Sequence, residues 1–171
     1  MHARFGKNII GINMKKLFKL GLCIASLCFA AHAESSSTST PMFGEYPEPV
    51  AKLKVNAKPK LVSGQDREFK TRIAAASNQG VNFAGHYVLS SFGCGAACVM
   101  AFALDKKSGE VTWLPFTVCC WGNINNDAEP LSFKKNSRLV IITGSRNEQG
   151  KGIYYYEFKN STFALVSETQ Q

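Results

Sequence analysis

From Phe83 onward the chain is a succession of short apolar runs separated by turn clusters, and no other feature narrows the fold as much. Candidate strands fall at 84–92, 98–104, 110–117, 130–134, 138–144, 152–158 and 163–167. Between them stand Asp105-Lys106-Lys107-Ser108-Gly109, Lys135-Asn136-Ser137, Asn147-Glu148-Gln149-Gly150 and Lys159-Asn160-Ser161. These are residues whose side chains bond their own backbone or tolerate a left-handed conformation, so they turn the chain. About seven strands joined this closely predict antiparallel β-meanders. Val99 to Leu104 is apolar at every position and is expected to be buried on both faces. One amphipathic helix precedes the strands, over Gln65–Asn78. Phe69, Ile73 and Ala76 recur there at helical spacing, Asp66 and Glu68 lie at its start, and Gly80 follows it. The expected class is α+β, mostly β.

The first 33 residues are of another kind. Met14-Lys15-Lys16-Leu17-Phe18-Lys19 is basic, Leu20 to Ala31 is apolar, and Ala31-His32-Ala33 is a small-x-small cleavage site. The order is that of a bacterial secretory signal peptide, with Met14 as the natural start. The apolar stretch is shorter than the ~20 residues a membrane span needs. A periplasmic or secreted protein is therefore expected, with no integral membrane segment after cleavage. Five of the 20 Lys and Arg and none of the 12 acidic residues fall in residues 1–33, so the net charge of +8 becomes +3 for residues 34–171. That removes most of the case for a nucleic-acid partner, which needs a basic patch on the folded part. Residues 34–60 are rich in Ser, Lys and Pro, with Pro41, Pro47, Pro49 and Pro59, and read as a flexible arm. Residues 61–171 then form a single β-rich domain.

Loss of Cys23 and Cys28 with the signal leaves Cys94, Cys98, Cys119 and Cys120. An even number in an oxidising compartment predicts disulfides, with three connectivities open. If 98–104 and 110–117 form a hairpin centred near Lys107, paired positions sum to about 214–215. All four sulfurs then gather at one end of the sheet. A zinc site is disfavoured, because C-x-x-x-C followed by C-C lacks the ligand spacing and export disfavours reduced thiols. A redox role would prefer C-x-x-C before a helix, whereas a strand follows Cys98. Gly93-Cys94-Gly95-Ala96-Ala97-Cys98 lacks the third glycine and the helix of a dinucleotide site. His86 is the only histidine after residue 33, which rules out a two-histidine metal site within the chain. No cofactor, metal or catalytic residue is predicted, and the balance is against an enzyme. The candidate binding surface is the turn Gly95, Ala96 and Ala97, with Trp121 as an aromatic anchor and His86 as a further polar group.

Asn82-Phe83-Ala84-Gly85-His86-Tyr87, followed by Gly93-Cys94-Gly95 and Cys98, resembles a widespread family of small exported bacterial proteins of unassigned function. The resemblance covers roughly Phe69 to Val166 and includes Lys70-Thr71-Arg72-Ile73 and Ser137-Arg138-Leu139-Val140. It implies one exported domain and no particular activity. A looser likeness in layout is to periplasmic lysozyme inhibitors of the Ivy type, which present a short disulfide loop to the enzyme's cleft. Gly95-Ala96-Ala97 is one residue shorter and lacks the polar and histidine groups of such a loop. The likeness therefore implies a presented loop and not the inhibitor's residues. Three functional expectations follow. The first is a non-enzymatic binding module, such as an inhibitor or immunity protein for a cell-envelope enzyme. The second is an envelope thiol–disulfide protein or Cys-based enzyme. The third is a purely structural envelope protein.

Overall fold

A computed structural model describes residues 39–124 and 128–170. The expected signal peptide, and residues 34–38 of the arm, lie outside the described residues. Among these no helix is long and apolar enough to cross a membrane.

Eight antiparallel strands make one sheet: β1 (Tyr87–Gly95), β2 (Cys98–Asp105), β3 (Val111–Trp113), β4 (Val118–Cys119), β5 (Leu131–Phe133), β6 (Leu139–Arg146), β7 (Gln149–Lys159) and β8 (Thr162–Gln170). The order is β1-β2-β4-β6-β7-β8, with β3 also on β2 and β5 also on β6. The sheet is thus two meanders, β1-β2-β3 and β5-β6-β7-β8, stitched together by the two residues of β4. The expected strand 110–117 is divided between β3 and β4. Phe102 faces Trp113, as the predicted register requires, but Val99 faces Val118, two positions further on. Pro115 lies in the interval; it has no N–H to give the ladder, so the chain leaves β2 and returns out of step.

Two turns show why the sheet folds back tightly. Asn147 and Glu148 have φ of 49° and 63°, and Asn160 and Ser161 have 50° and 54°. Each pair joins consecutive strands with the left-handed geometry that matches strand twist. The sheet curls around Phe83, Leu89, Ala103, Val140, Ile142, Tyr154 and Phe158, all buried. Tyr87 on β1 meets Phe158 on β7 edge to face at 4.8 Å between ring centroids. The opposite face of β1 and β2 carries Val88, Phe102 and Leu104, which pack against Ile73 and Ala76 of the helical segment. Every residue from Ala101 to Leu104 is buried, because both faces of β2 are covered.

The helix forms in two pieces, α1 (Gly64–Glu68) and α2 (Lys70–Ser77). They part at Phe69, whose ring packs against Phe92 at 5.1 Å and Trp113 at 5.5 Å. Ser63 and Asp66 cap α1 reciprocally: Asp66 N–H donates to Ser63 Oγ at 3.0 Å, and Ser63 N–H to Asp66 Oδ2 at 2.7 Å. Lys106 is buried and its Nζ donates to the carbonyls of Ser77 and Gln79 at the end of α2. A cation there satisfies open carbonyls and the negative end of the helix dipole.

The flexible arm needs correction from Phe43 onward. Arg138 N–H donates to Tyr46 O at 2.8 Å, Glu48 N–H to Asn136 O at 2.9 Å and Ala51 N–H to Gly85 O at 2.8 Å. Further on, Ala57 N–H donates to Lys106 O at 2.9 Å and Lys60 N–H to Gly109 O at 2.7 Å. The segment is an extended strap across the domain. Proline prevents a helix or an inner strand there, yet it leaves neighbouring N–H groups free to bond loop carbonyls.

Candidate functional site at the cysteine end

The four cysteines do meet at one end of the sheet. Cys94 and Cys98 form a disulfide with Cα atoms 5.3 Å apart, and Ala96-Ala97 is the turn it closes. Cys94 stands at a register shift, because Gly93 faces Val99 and Gly95 faces Cys98. It is the extra residue of a bulge, which leaves its side chain free to reach across the turn. Residues Gly93 to Ala97 are exposed. Ala97, the second residue of the turn, takes a left-handed φ of 48°.

Cys119 lies directly opposite Cys98 on one side and Ser145 on the other. Directly opposed residues share a face, so the three form a row across β2, β4 and β6. Cys119 and Cys120 are free thiols, the first buried and the second exposed. Their expected place in a disulfide is thereby corrected for this state: Cys98 is taken by Cys94, and a bridge between adjacent residues needs a strained ring. Their sulfurs are 2.8 Å apart. The hydrogen bond with Cys120, then burial, then the nearby charges of Cys120 and Glu148 push the Cys119 thiol up, against a backbone hydrogen bond from Glu148.

Cys120 ends the strand in a left-handed conformation, φ 62°, and a single 3₁₀ turn follows at Trp121–Asn123. Trp121 is half-buried against the main core. The approach of this segment to β6 depends on Gly144, whose φ is +130°. A Cβ there would strike the carbonyl of Cys119 and come within 3.3 Å of Trp121 N.

His86 does not belong to this end. It stands in the turn just before β1, eight residues from Cys94, roughly 26 Å at the rise of an extended chain. Its Nε2 stands 3.7 Å from Asp105 Oδ1, and its ring lies 4.3 Å from that of Tyr87. Burial lowers its pKa, with the Asp105 carboxylate pulling the other way, and the net shift is downward. His86 lines a separate cavity of about 430 Å³ with Glu48, Tyr87, Arg138 and Ser161. Arg138 is fully engaged there, bonding Glu48 Oε2 at 3.2 Å and Glu157 Oε1 at 3.0 Å.

Gly144, Ser145 and Glu148 are neighbours of the cysteines that sequence reasoning missed. Counting back the β6–β7 hairpin from Asn147-Glu148 places that turn at one end of the sheet. Only the order β2-β4-β6 places it beside Cys119, and that order skips β3 and β5. No group of three metal-ligating side chains stands together among the described residues. Comparison of the chain with protein-family models, curated proteins and solved structures finds no match. The resemblances drawn from the N-F-A-G-H-Y and Gly-Cys motifs therefore rest on those motifs alone.

Proposed function

We infer that the protein is an exported, non-enzymatic interaction module that docks its cysteine end into a protein of the bacterial cell envelope. An inhibitor of an envelope enzyme, or an immunity protein against one, is the specific form of this reading. It is carried by the exposed turn Gly95-Ala96-Ala97, pinned by Cys94–Cys98 at the end of a packed sheet. A turn held this way loses little conformational freedom when a partner closes on it, so more of the contact energy appears as affinity. Trp121 adds an aromatic group of the kind that anchors interfaces, close by on the exit from β4. Export supplies the oxidising compartment in which the bridge persists.

Capture from envelope extract tests this, with Ala96→Arg against wild type and His86→Ala as the variant at the far end. Ala96 is exposed, so the fold should be retained and circular dichroism unchanged. The Ala96→Arg protein is expected to lose the captured partner while His86→Ala keeps it. Equal capture by Ala96→Arg and wild type overturns the reading.

A further inference from the structure

The four sulfurs form two pairs, one oxidised and one reduced, placed side by side. Cys98 is directly opposite Cys119 on the neighbouring antiparallel strand. Such residues have Cβ atoms roughly 4.5–5.5 Å apart on one face. Their Cα separation, about 4.5–5.5 Å, falls within the span that a disulfide bridges, and the Cβ atoms must draw in to about 3.5–4.5 Å for the bond to form. Cys119 and Cys120 hold their sulfurs 2.8 Å apart. Closing that gap to a bond of about 2.05 Å needs less than 1 Å of movement. A bridge between adjacent residues closes a strained ring, which makes its isomer the minor one; the strand ends at Cys120 in a left-handed conformation, so the ladder does not resist the change of backbone angle that ring needs. Cys94 sits in an exposed turn and is outside the β1–β2 register, which leaves room for its sulfur to depart.

We propose that this end of the sheet is a thiol–disulfide exchange site, in which the Cys119/Cys120 dithiol and the Cys94–Cys98 disulfide interconvert through a Cys98–Cys119 bridge. In the first step the Cys119 thiolate attacks Cys98 Sγ. The Cys98–Cys119 bond forms, the Cys94–Cys98 bond breaks, and Cys94 leaves as a thiolate that takes up the proton Cys119 released. In the second step the Cys120 thiolate attacks Cys119 Sγ. The Cys119–Cys120 bond forms, the Cys98–Cys119 bond breaks, and Cys98 leaves and takes the proton of Cys120. Two electrons pass from the Cys119/Cys120 pair to the Cys94/Cys98 pair, and no external oxidant is consumed. The raised pKa of Cys119 makes its thiolate scarce at neutral pH, which slows the first step without redirecting it. The two isomers differ in one respect that a partner would sense: the Ala96-Ala97 turn is pinned in one and open in the other. The exchange itself requires no partner and stands apart from the docking reading.

Tryptic peptides separate the isomers. Residues 73–106 hold Cys94 and Cys98, and residues 108–134 hold Cys119 and Cys120. The purified protein is reduced without denaturant and re-oxidised under argon with one equivalent of oxidised glutathione. It is held at pH 8, then trapped with N-ethylmaleimide and digested. Wild type is expected to yield two populations, one with the bridge in 73–106 and the label on 108–134, the other reversed. Cys120→Ser blocks the second step, and its two peptides are expected to come joined, with loss of the bridge within 108–134. Because Cys120 is exposed, that substitution leaves the packing alone. The wild-type measurement decides the matter even without the variant. A bridge confined to 73–106 in wild type, with no joined peptides in Cys120→Ser, overturns the proposal.

Discussion

Asp66 accepts from three donors at once. Val62 and Ser63 give backbone N–H groups to Oδ2 at 2.9 and 2.7 Å, and Trp113 gives its indole N–H to Oδ1 at 2.8 Å. Burial alone would raise the carboxyl's pKa, but these hydrogen bonds, with that from Ser63 foremost, outweigh it and hold the group below the ordinary carboxyl range. A depressed folded pKa means that the unfolded chain binds the proton first as pH falls. The stability Asp66 contributes is therefore complete above the unfolded carboxyl pKa of about 3.9, and is lost as pH drops through the folded value. Asn at this position cannot accept the same donors and leaves at least one N–H unpaired, a cost of about 1–3 kcal/mol. Unfolding free energies of wild type and Asp66→Asn from urea titration should differ by that amount at pH 7 and converge below pH 4. An unchanging gap down to pH 2 contradicts the assignment. Half of this arrangement is visible in the sequence, since Ser63 and Asp66 stand at capping-box spacing. The other half is not, because Trp113 reaches Asp66 across 47 positions of chain.

At the scale of elements, β4 decides where the cysteines lie. The long hairpins were legible, because strand-like runs of five to nine residues bounded by turn clusters allow few pairings. The division of β3 from β4 was not, since Leu114, Phe116 and Val118 keep the strand alternation going past Pro115. The place of Cys119 between β2 and β6 follows from that division and from Gly144. A side chain at position 144 is excluded twice, by φ of +130° and by the Cys119 carbonyl. Gly144→Ala should therefore force β4 away from β6. We expect a loss of about 1–3 kcal/mol, typical of a residue held in a disallowed conformation. The informative readout is Cys119, which is buried in the native protein. Its alkylation by N-ethylmaleimide should speed up in Gly144→Ala under conditions where both proteins remain folded. Unchanged alkylation alongside lower stability would mean that β4 keeps its place.

At the scale of the whole molecule, the strap ties the two meanders together from outside. It bonds Asn136 and Arg138 next to β6, then Gly85 before β1, then Lys106 and Gly109 after β2. Nothing in the composition of residues 34–60 separates a strap from a free arm. Ser, Lys and Pro are what disordered segments contain, and the difference lies in the loop carbonyls that receive its N–H groups. One residue did carry the information. Gly109 has φ of +80°, and a Cβ there would strike the carbonyl of Lys58. Its lack of a side chain is what lets the strap lie flat against the β2–β3 loop and lets Lys60 N–H reach Gly109 O at 2.7 Å. Gly109→Ala should lift the strap over this stretch without disturbing the buried core. Lys52, Lys54 and Lys60 are then open to trypsin on a backbone free to enter the protease cleft, where the native strap is held extended by its hydrogen bonds (Lys58 precedes Pro59 and is not cut). We expect cleavage within 52–60 to accelerate several-fold in Gly109→Ala while the 61–171 fragment survives. Gly80→Ala is the control, since a Cβ at Gly80 meets nothing within 4 Å, and it should cut at the wild-type rate. Equal rates in all three proteins would show that the strap does not depend on its seat at Gly109. Loss of the 61–171 fragment along with the strap would show instead that the sheet needs the strap to hold its meanders together.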